Sequence, residues 1–157
     1  MRPDGSSWSG NPGVSILNSQ EALRWLEARP EITSLRAAVC DLNGILRGKR
    51  VPVAQAGKVL EGATRMPYSI ACLDIWGEDV AGNPLVFQQG DIDGRCEPTG
   101  RGFLPVNWLG SPTALLPLWM ASEDGTPYLG GPRRALAAVC ARFADLGLTP
   151  VVATELE

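Results

Sequence analysis

Hydrophobic and polar positions follow a helical period at the start of the chain. In "NSQEALRWLEARP", Asn18 and Glu21 are spaced as in a capping box, which marks the start of a helix. The apolar residues that follow share one face of that helix and predict a buried stripe formed by Ala22, Leu23 and Leu26.

The period then changes to that of strands. The runs "SLRAAVC" and "ILRGKRVP" flank Asn43-Gly44, which predicts a β-hairpin whose type I′ turn places both residues at positive φ. "VAQAGKVLEGA" predicts a short helix that ends near Gly62, and "YSIACLDIW" predicts another strand.

The second half begins with a segment over 77–107 that is rich in Gly, Pro and Asp, which predicts mostly loop. "TALLPLWMA" predicts a buried strand in which Pro117 marks an edge or a bulge. "PRRALAAVCARFADLG" predicts an amphipathic helix with Pro132 at its first position and Gly147 past its end. "TPVVATELE" predicts a last strand.

This order of elements predicts an α+β fold, with a small mixed sheet packed on one or two helices. A change of composition near Ser122 predicts a domain over residues 14–122 and a separate segment over 123–157. Residues 1–13 lack the apolar core of a signal peptide, and we expect them to form a flexible tail.

Composition excludes several classes of protein. A formal net charge of −3 argues against a general binder of nucleic acid or of anionic membranes, and no apolar run is long enough for a membrane span. The chain has no histidine and no CxxC pair, which removes the common zinc patterns and histidine-dependent nucleophiles. Its four cysteines are expected to be free thiols in a reducing cytoplasm.

Carboxylates at two places outside the last strand are candidates for chemistry. Asp74 ends an apolar run and enters a Gly-rich loop, where it could act in a site or simply cap a turn. Asp91 and Asp93 in "GDIDG" fail the EF-hand pattern, so they form either a polar turn or the rim of a site for a cation or an amine.

A carboxylate pair ends the last predicted strand. Glu155 and Glu157 would project from one face of that strand, because alternate strand residues share a face. Carboxylates so placed could each serve one metal of a phosphoryl-transfer site, or they could be two solvated acids.

The segment "GILRGKR" fails the phosphate-loop pattern, because three residues instead of four separate its glycines and no Ser or Thr follows Lys49. It predicts a solvated basic arm formed by Arg47, Lys49 and Arg50. That arm could alternatively contact a neighbouring subunit or an anionic ligand.

Five segments in this order resemble the N-terminal part of the glutamine synthetase family, especially its γ-glutamyl-polyamine synthetase branch: "DLNGILRGKRVP", "LDIWG", "GDIDGRCEP", "DGTPYLGGPRRAL" and "TPVVATELE". The resemblance implies a β-grasp-like N-terminal domain. It also implies that residues 123–157 start a catalytic domain that is truncated here.

The resemblance further implies a function for the candidate carboxylates. Glu155 and Glu157 match an E-x-E motif that binds two Mg²⁺ or Mn²⁺ ions, which act with ATP on glutamate. Asp74 matches the residue that takes a proton from the attacking amine, and Asp93 matches an acid near the amine site. The N-terminal domain of one subunit closes the active site of its neighbour in a homo-oligomeric ring.

The chain departs from the family pattern in one informative place. Glutamine synthetases that use ammonia carry Asp-Gly-Ser-Ser where this chain has "LDIWGED", which favours a different amine as substrate. The chain by itself is expected to be inactive and to bind no cofactor. An alternative hypothesis is a stand-alone β-grasp-like module for interaction or oligomerisation, without catalysis.

Overall fold

The computed structural model describes residues 18–155, which form six strands and four α-helices. The strands are β1 (Ser34–Cys40), β2 (Leu46–Pro52), β3 (Thr64–Pro67), β4 (Asp93–Pro98), β5 (Leu104–Val106) and β6 (Thr113–Ala121). The helices are α1 (Ser19–Glu27), α2 (Ala56–Leu60), α3 (Pro84–Phe87) and α4 (Pro132–Asp145), with 3₁₀ segments at Val53–Gln55 and Tyr68–Cys72.

All six strands belong to one mixed sheet. Its order is β2-β1-β6-β4-β3, and β5 also pairs with β6. The central pair β1 and β6 is parallel, whereas every other pair is antiparallel. A central parallel pair flanked by antiparallel strands is the β-grasp arrangement, so the predicted α+β fold with a small mixed sheet is confirmed.

One hydrophobic core lies between the sheet and helices α1 and α2. The predicted capping box begins α1, because Asn18 and Glu21 each accept the other's backbone N–H at 2.9 Å. Ala22 and Leu26 are buried as predicted, and they pack with central strand residues such as Leu35 and Leu116. Burial of this apolar surface is the main term that stabilises the fold.

The predicted hairpin forms, but its turn is not type I′. Gly44 has φ of 79°, whereas Asn43 is not among the residues at positive φ. The Asp41 N–H donates to the Ile45 carbonyl at 2.9 Å, which closes a three-residue loop with Gly44 at its left-handed position.

The side chain of Asp41 explains this turn. Its Oδ1 accepts the backbone N–H groups of Asn43 at 2.9 Å and Ile45 at 2.8 Å, and Arg47 Nε donates to Oδ2 at 2.8 Å. Asp41 has no exposed surface. Burial alone would raise the pKa of this carboxyl, but the Arg47 hydrogen bond and the two N–H groups hold the pKa below its usual value.

Strand β6 is central, so the edge-strand alternative for Pro117 is wrong. On one side of β6 the ladder is interrupted next to this proline, because β4 ends opposite Leu118 and β5 begins opposite Leu115. The Pro117 carbonyl instead accepts the Thr99 N–H at 3.1 Å. The ladder on this side of β6 is therefore broken beside the proline, which cannot donate a backbone hydrogen bond.

Two local predictions were wrong and one was incomplete. Residues 68–72 of the predicted strand form a 3₁₀ segment, because an apolar run does not distinguish a buried strand from a buried turn. The segment 77–107 is mostly loop as predicted, but it also contains α3, β4 and β5, and both strands pair with β6. Residues 148–155 form no strand, since no described strand lies alongside them.

Helix α4 begins at Pro132 as predicted, and Gly147 follows its end with φ of 72°. Its side toward the sheet is only half-buried, and there Arg134 lies 4.2 Å from the ring centre of Trp119. The large apolar residues of the helix and of its C-cap are instead exposed: Leu136, Val139, Phe143 and the C-cap Leu146. The helix therefore presents an apolar stripe that no other described residue covers.

We expect Gly48→Ala to destabilise the chain by about 2 kcal/mol or more. A Cβ there would lie 2.0 Å from the Ala37 carbonyl oxygen on the paired strand, so backbone would have to move. Urea unfolding gives the change. The matched control is Gly57→Ala in α2, where a Cβ meets no atom within 4 Å. It should stabilise by about 0.5–1 kcal/mol, and equal effects of the two variants would refute the packing argument.

We expect Asp41→Asn to destabilise the chain by about 2–3 kcal/mol at neutral pH, because it leaves Arg47 partly buried without its ion pair. A folded-state pKa below the unfolded value near 3.9 stabilises the chain above about pH 4, and this stabilisation is lost as the pH falls through the folded pKa.

Urea unfolding of both proteins between pH 3 and pH 7 measures this effect. The gap in unfolding free energy between wild type and Asp41→Asn should narrow as the pH falls below 4. A gap that stays constant over this range would show that the charge of Asp41 does not contribute.

Candidate functional site

Asp74 lies in a tight loop that follows the 3₁₀ segment. Its Oδ1 accepts the backbone N–H groups of Trp76 at 2.8 Å and Glu78 at 2.9 Å, and its own N–H donates to the Glu78 carbonyl at 3.0 Å. No described residue donates to Oδ2. The structure therefore makes Asp74 a turn-capping residue that still has one carboxylate oxygen to offer.

Large apolar side chains surround this loop on the surface. Trp76 is 82% exposed and Ile75 is 58% exposed, and Leu42 of the neighbouring hairpin turn is 63% exposed. Adjacent exposed apolar groups of this size are typical of a surface that contacts a ligand or another protein. The candidate carboxylate thus lies beside an apolar surface patch, which we define as Leu42, Ile75 and Trp76.

The hairpin turn is hydrogen-bonded to the chain that leads into Asp74. The Leu42 N–H donates to the Ala71 carbonyl at 2.9 Å, and Asn43 Nδ2 donates to the Leu73 carbonyl at 2.7 Å. Arg47 Nη2 donates to the Asp74 carbonyl at 2.7 Å. The turn and the Asp74 loop therefore form one hydrogen-bonded unit.

The expectation of a solvated basic arm is wrong for one of its three residues, Arg47, whereas Lys49 and Arg50 are exposed. Arg47 is 17% exposed and is paired with Asp41, and Lys49 Nζ donates to the Arg65 carbonyl at 2.8 Å. Sequence reasoning missed Asp41 altogether, although an aspartate two residues before Asn-Gly is a recognisable turn signal.

The other candidate carboxylates of the loop region lie apart from Asp74. Asp93 is exposed and begins β4 opposite Pro67, at the far end of the 3₁₀ segment from Asp74. A five-residue 3₁₀ segment is about 10 Å long, so the two carboxylates are not hydrogen-bonded neighbours.

Asp91 has a structural partner. The buried Ser69 hydroxyl donates to its carboxylate, and its φ of 54° is the one positive φ outside glycine in residues 18–155. A strained residue that is held by a buried partner fixes the local path of the chain. Asp91 therefore stabilises the loop, and Asp93 is the freer carboxylate of this pair.

The predicted metal-binding pair is only half described. Glu155 is exposed and lies in a segment without regular structure. Glu157 lies outside the described residues, so the joint placement of the two carboxylates remains a prediction, although not on a strand. Within residues 18–155, no group of three or more Cys, Asp or Glu side chains is arranged to hold a metal ion, and no helix is long and apolar enough to cross a membrane.

No family model matches the chain. Two sequence relatives are synthetases of γ-glutamyl compounds. The chain is 35% identical over 139 residues to γ-glutamylputrescine synthetase PuuA of Escherichia coli, a match that covers 88% of this chain and 29% of that protein. It is 33% identical over 141 residues to γ-glutamylethanolamide synthetase GlnA4 of Streptomyces coelicolor, covering 87% and 30%. The chain thus spans less than a third of the length of these relatives.

Two solved structures share the fold of this chain. GmaS in complex with ADP matches with a TM-score of 0.59 and 23% identity, over 79% of this chain and 26% of that one. Glutamine synthetase of Plasmodium falciparum matches with a TM-score of 0.62 and 15% identity, over 85% and 24%. The sequence relatives and the shared fold confirm the resemblance seen in the motifs: the chain is similar to the N-terminal part of glutamine synthetase-like enzymes.

Proposed function

We propose that this chain is the N-terminal part of an ATP-dependent ligase that joins glutamate to an amine other than ammonia. The 35% identity to γ-glutamylputrescine synthetase over 88% of the chain carries this proposal. In it, residues 14–122 form the β-grasp-like domain and residues 123–157 begin the catalytic domain. The expected tail over residues 1–13 lies outside the described residues. The four free thiols fit a cytoplasmic enzyme.

The proposed reaction has two steps. ATP phosphorylates the side-chain carboxylate of glutamate, and an amine then displaces phosphate from the resulting γ-glutamyl phosphate. An amine that is protonated at neutral pH has no lone pair for attack, so a carboxylate must bind the cation and accept a proton. Asp74 fits this role because its Oδ2 accepts no hydrogen bond from the described residues. Asp93, which is exposed, would add negative charge near the amine.

Glu155 and Glu157 would supply two of the ligands for the divalent metals. Carboxylate oxygens suit Mg²⁺ or Mn²⁺, and these ions offset the charge on the transferring phosphoryl group. Two glutamates are too few for two metal ions, so other ligands and the ATP pocket would come from outside these residues. The chain alone would then be inactive.

The apolar surface patch supports a lid role in a homo-oligomeric ring. Trp76 and Ile75 extend from the same loop as Asp74, so contact of the patch with a neighbouring subunit would bring the carboxylate to that subunit's active site. The exposed stripe of α4 would pack on the catalytic domain that its own segment begins.

In the full-length enzyme, we expect Asp74→Asn to slow amine transfer about 100-fold or more and to leave formation of γ-glutamyl phosphate within about twofold. Asparagine keeps the oxygen that accepts the Trp76 and Glu78 N–H groups, but it cannot accept the proton. Rapid-quench single turnovers without amine measure the first step, and steady-state kinetics with amine measure the second.

Asp124→Asn is the matched control, since Asp124 also caps an exposed turn by accepting the Thr126 N–H at 2.9 Å but lies on a different loop. It should leave both steps unchanged. Equal loss of both steps in Asp74→Asn would contradict the assigned role.

Titration calorimetry of MgATP into the 157-residue chain should show no measurable binding, because residues 18–155 contain no metal-ligand cluster. The full-length enzyme is the positive control. A clear isotherm with the chain alone would reject the lid assignment. If the full-length enzyme also fails to bind MgATP, the alternative of a non-catalytic interaction module gains support.

A further inference from the structure

The hairpin turn holds the Asp74 loop through one arginine that bridges two acceptors. Arg47 Nε donates to the buried Asp41 carboxylate at 2.8 Å, and Nη2 of the same guanidinium donates to the Asp74 carbonyl at 2.7 Å. We propose that Asp41 and Arg47 form a positioning pair that holds Asp74 in place for the amine step, an inference that rests on the proposed function of Asp74.

Arginine suits this position for a geometric reason. Its guanidinium is planar and offers donors in fixed directions, so one side chain reaches both the carboxylate and the carbonyl. The carboxylate of Asp41 cannot move, because two backbone N–H groups of its own turn also hold it. Arg47 is thus fixed through Nε to the buried Asp41 carboxylate, and it holds the Asp74 carbonyl through Nη2.

Gly77 completes the contact on the loop side. Its φ is 90°, and a Cβ at this position would lie 2.9 Å from Arg47 Nη1. A side chain here would therefore strain the backbone and push against the guanidinium. The Gly77 N–H also donates to the Asp74 carbonyl at 3.1 Å, so that carbonyl accepts from both the loop and Arg47.

Asp74 is thereby held at both of its ends. Its carbonyl is held by Arg47, and its carboxylate Oδ1 is held by the Trp76 and Glu78 N–H groups. The second carboxylate oxygen consequently has a defined position relative to the hairpin. Proton transfer depends on such positioning, since a displacement of about 1 Å can reduce a rate about 100-fold.

The test is Arg47→Lys in the full-length enzyme. Lysine keeps the charge opposite Asp41, but its single nitrogen cannot also hold the Asp74 carbonyl. We expect kcat/KM for the amine to fall about 10- to 100-fold while amine-independent formation of γ-glutamyl phosphate changes less than about twofold. Arg24→Lys, on the exposed surface of α1, is the matched control and should change neither step.

A double-mutant cycle tests whether Arg47 acts through Asp74. Arg47→Lys should have little further effect on amine transfer when Asp74→Asn is already present, because positioning no longer matters without the carboxylate. An effect of Arg47→Lys that is undiminished in the Asp74→Asn background, or equal loss of both reaction steps, would overturn the proposal.

Asn43→Ala is the second variant, in case Arg47→Lys folds poorly. It removes the 2.7 Å bond to the Leu73 carbonyl from an exposed turn residue and should give the same selective loss to a smaller degree. An unimpaired amine step in both Asn43→Ala and Arg47→Lys would also overturn the proposal.

Amide hydrogen exchange separates failure of this inference from failure of the proposed function. Residues 74–78 should exchange faster in Arg47→Lys than in wild type, whatever reaction the enzyme catalyses. If residues 74–78 exchange faster in Arg47→Lys but Asp74→Asn leaves amine transfer unimpaired, the role of Asp74 in the amine step is rejected. The conclusion that Arg47 stabilises the Asp74 loop would still stand. Unchanged exchange of residues 74–78 in Arg47→Lys would show that Arg47 does not stabilise the Asp74 loop.

Discussion

The buried carboxylate of Asp41 holds two backbone N–H groups of its own turn and the guanidinium of Arg47. A carboxylate without contact to water is stable only when its charge is paired and its oxygens are hydrogen-bonded, and both conditions are met here. This arrangement fixes the path of the β1–β2 turn. The Asp74 loop, which follows about 30 residues later in the chain, takes its position from that turn.

Strand β1 connects this turn to the rest of the sheet. Strand β1 pairs with β2 on one side and with the central strand β6 on the other, so the turn is anchored directly to the core. The loop side is anchored less directly, through the 3₁₀ segment and through Ser69, which holds the strained Asp91. Rigid support behind an exposed loop is the usual arrangement for a binding residue.

The exposed surfaces fall into two groups that suit different contacts. The patch around Trp76 lies beside the candidate carboxylate, whereas the stripe on α4 lies on the segment that follows the domain. Each group contains three or more large, exposed apolar side chains, which are typical of contact surfaces. Under the proposed function, the first contacts a neighbouring subunit and the second contacts the catalytic domain of the same subunit.

The sequence by itself determined the local features of this protein. The capping box at Asn18, the proline that begins α4 and the glycine after it were predicted, because each depends on neighbouring residues only. Five short motifs in order also indicated the resemblance to glutamine synthetase-like enzymes, which the sequence relatives confirm. The tertiary structure decided that segments such as Asp93–Pro98 became strands and that Arg47, paired with Asp41, bonds to the Asp74 loop. These features depend on hydrogen bonds between residues far apart in the chain, and no local pattern encodes such contacts.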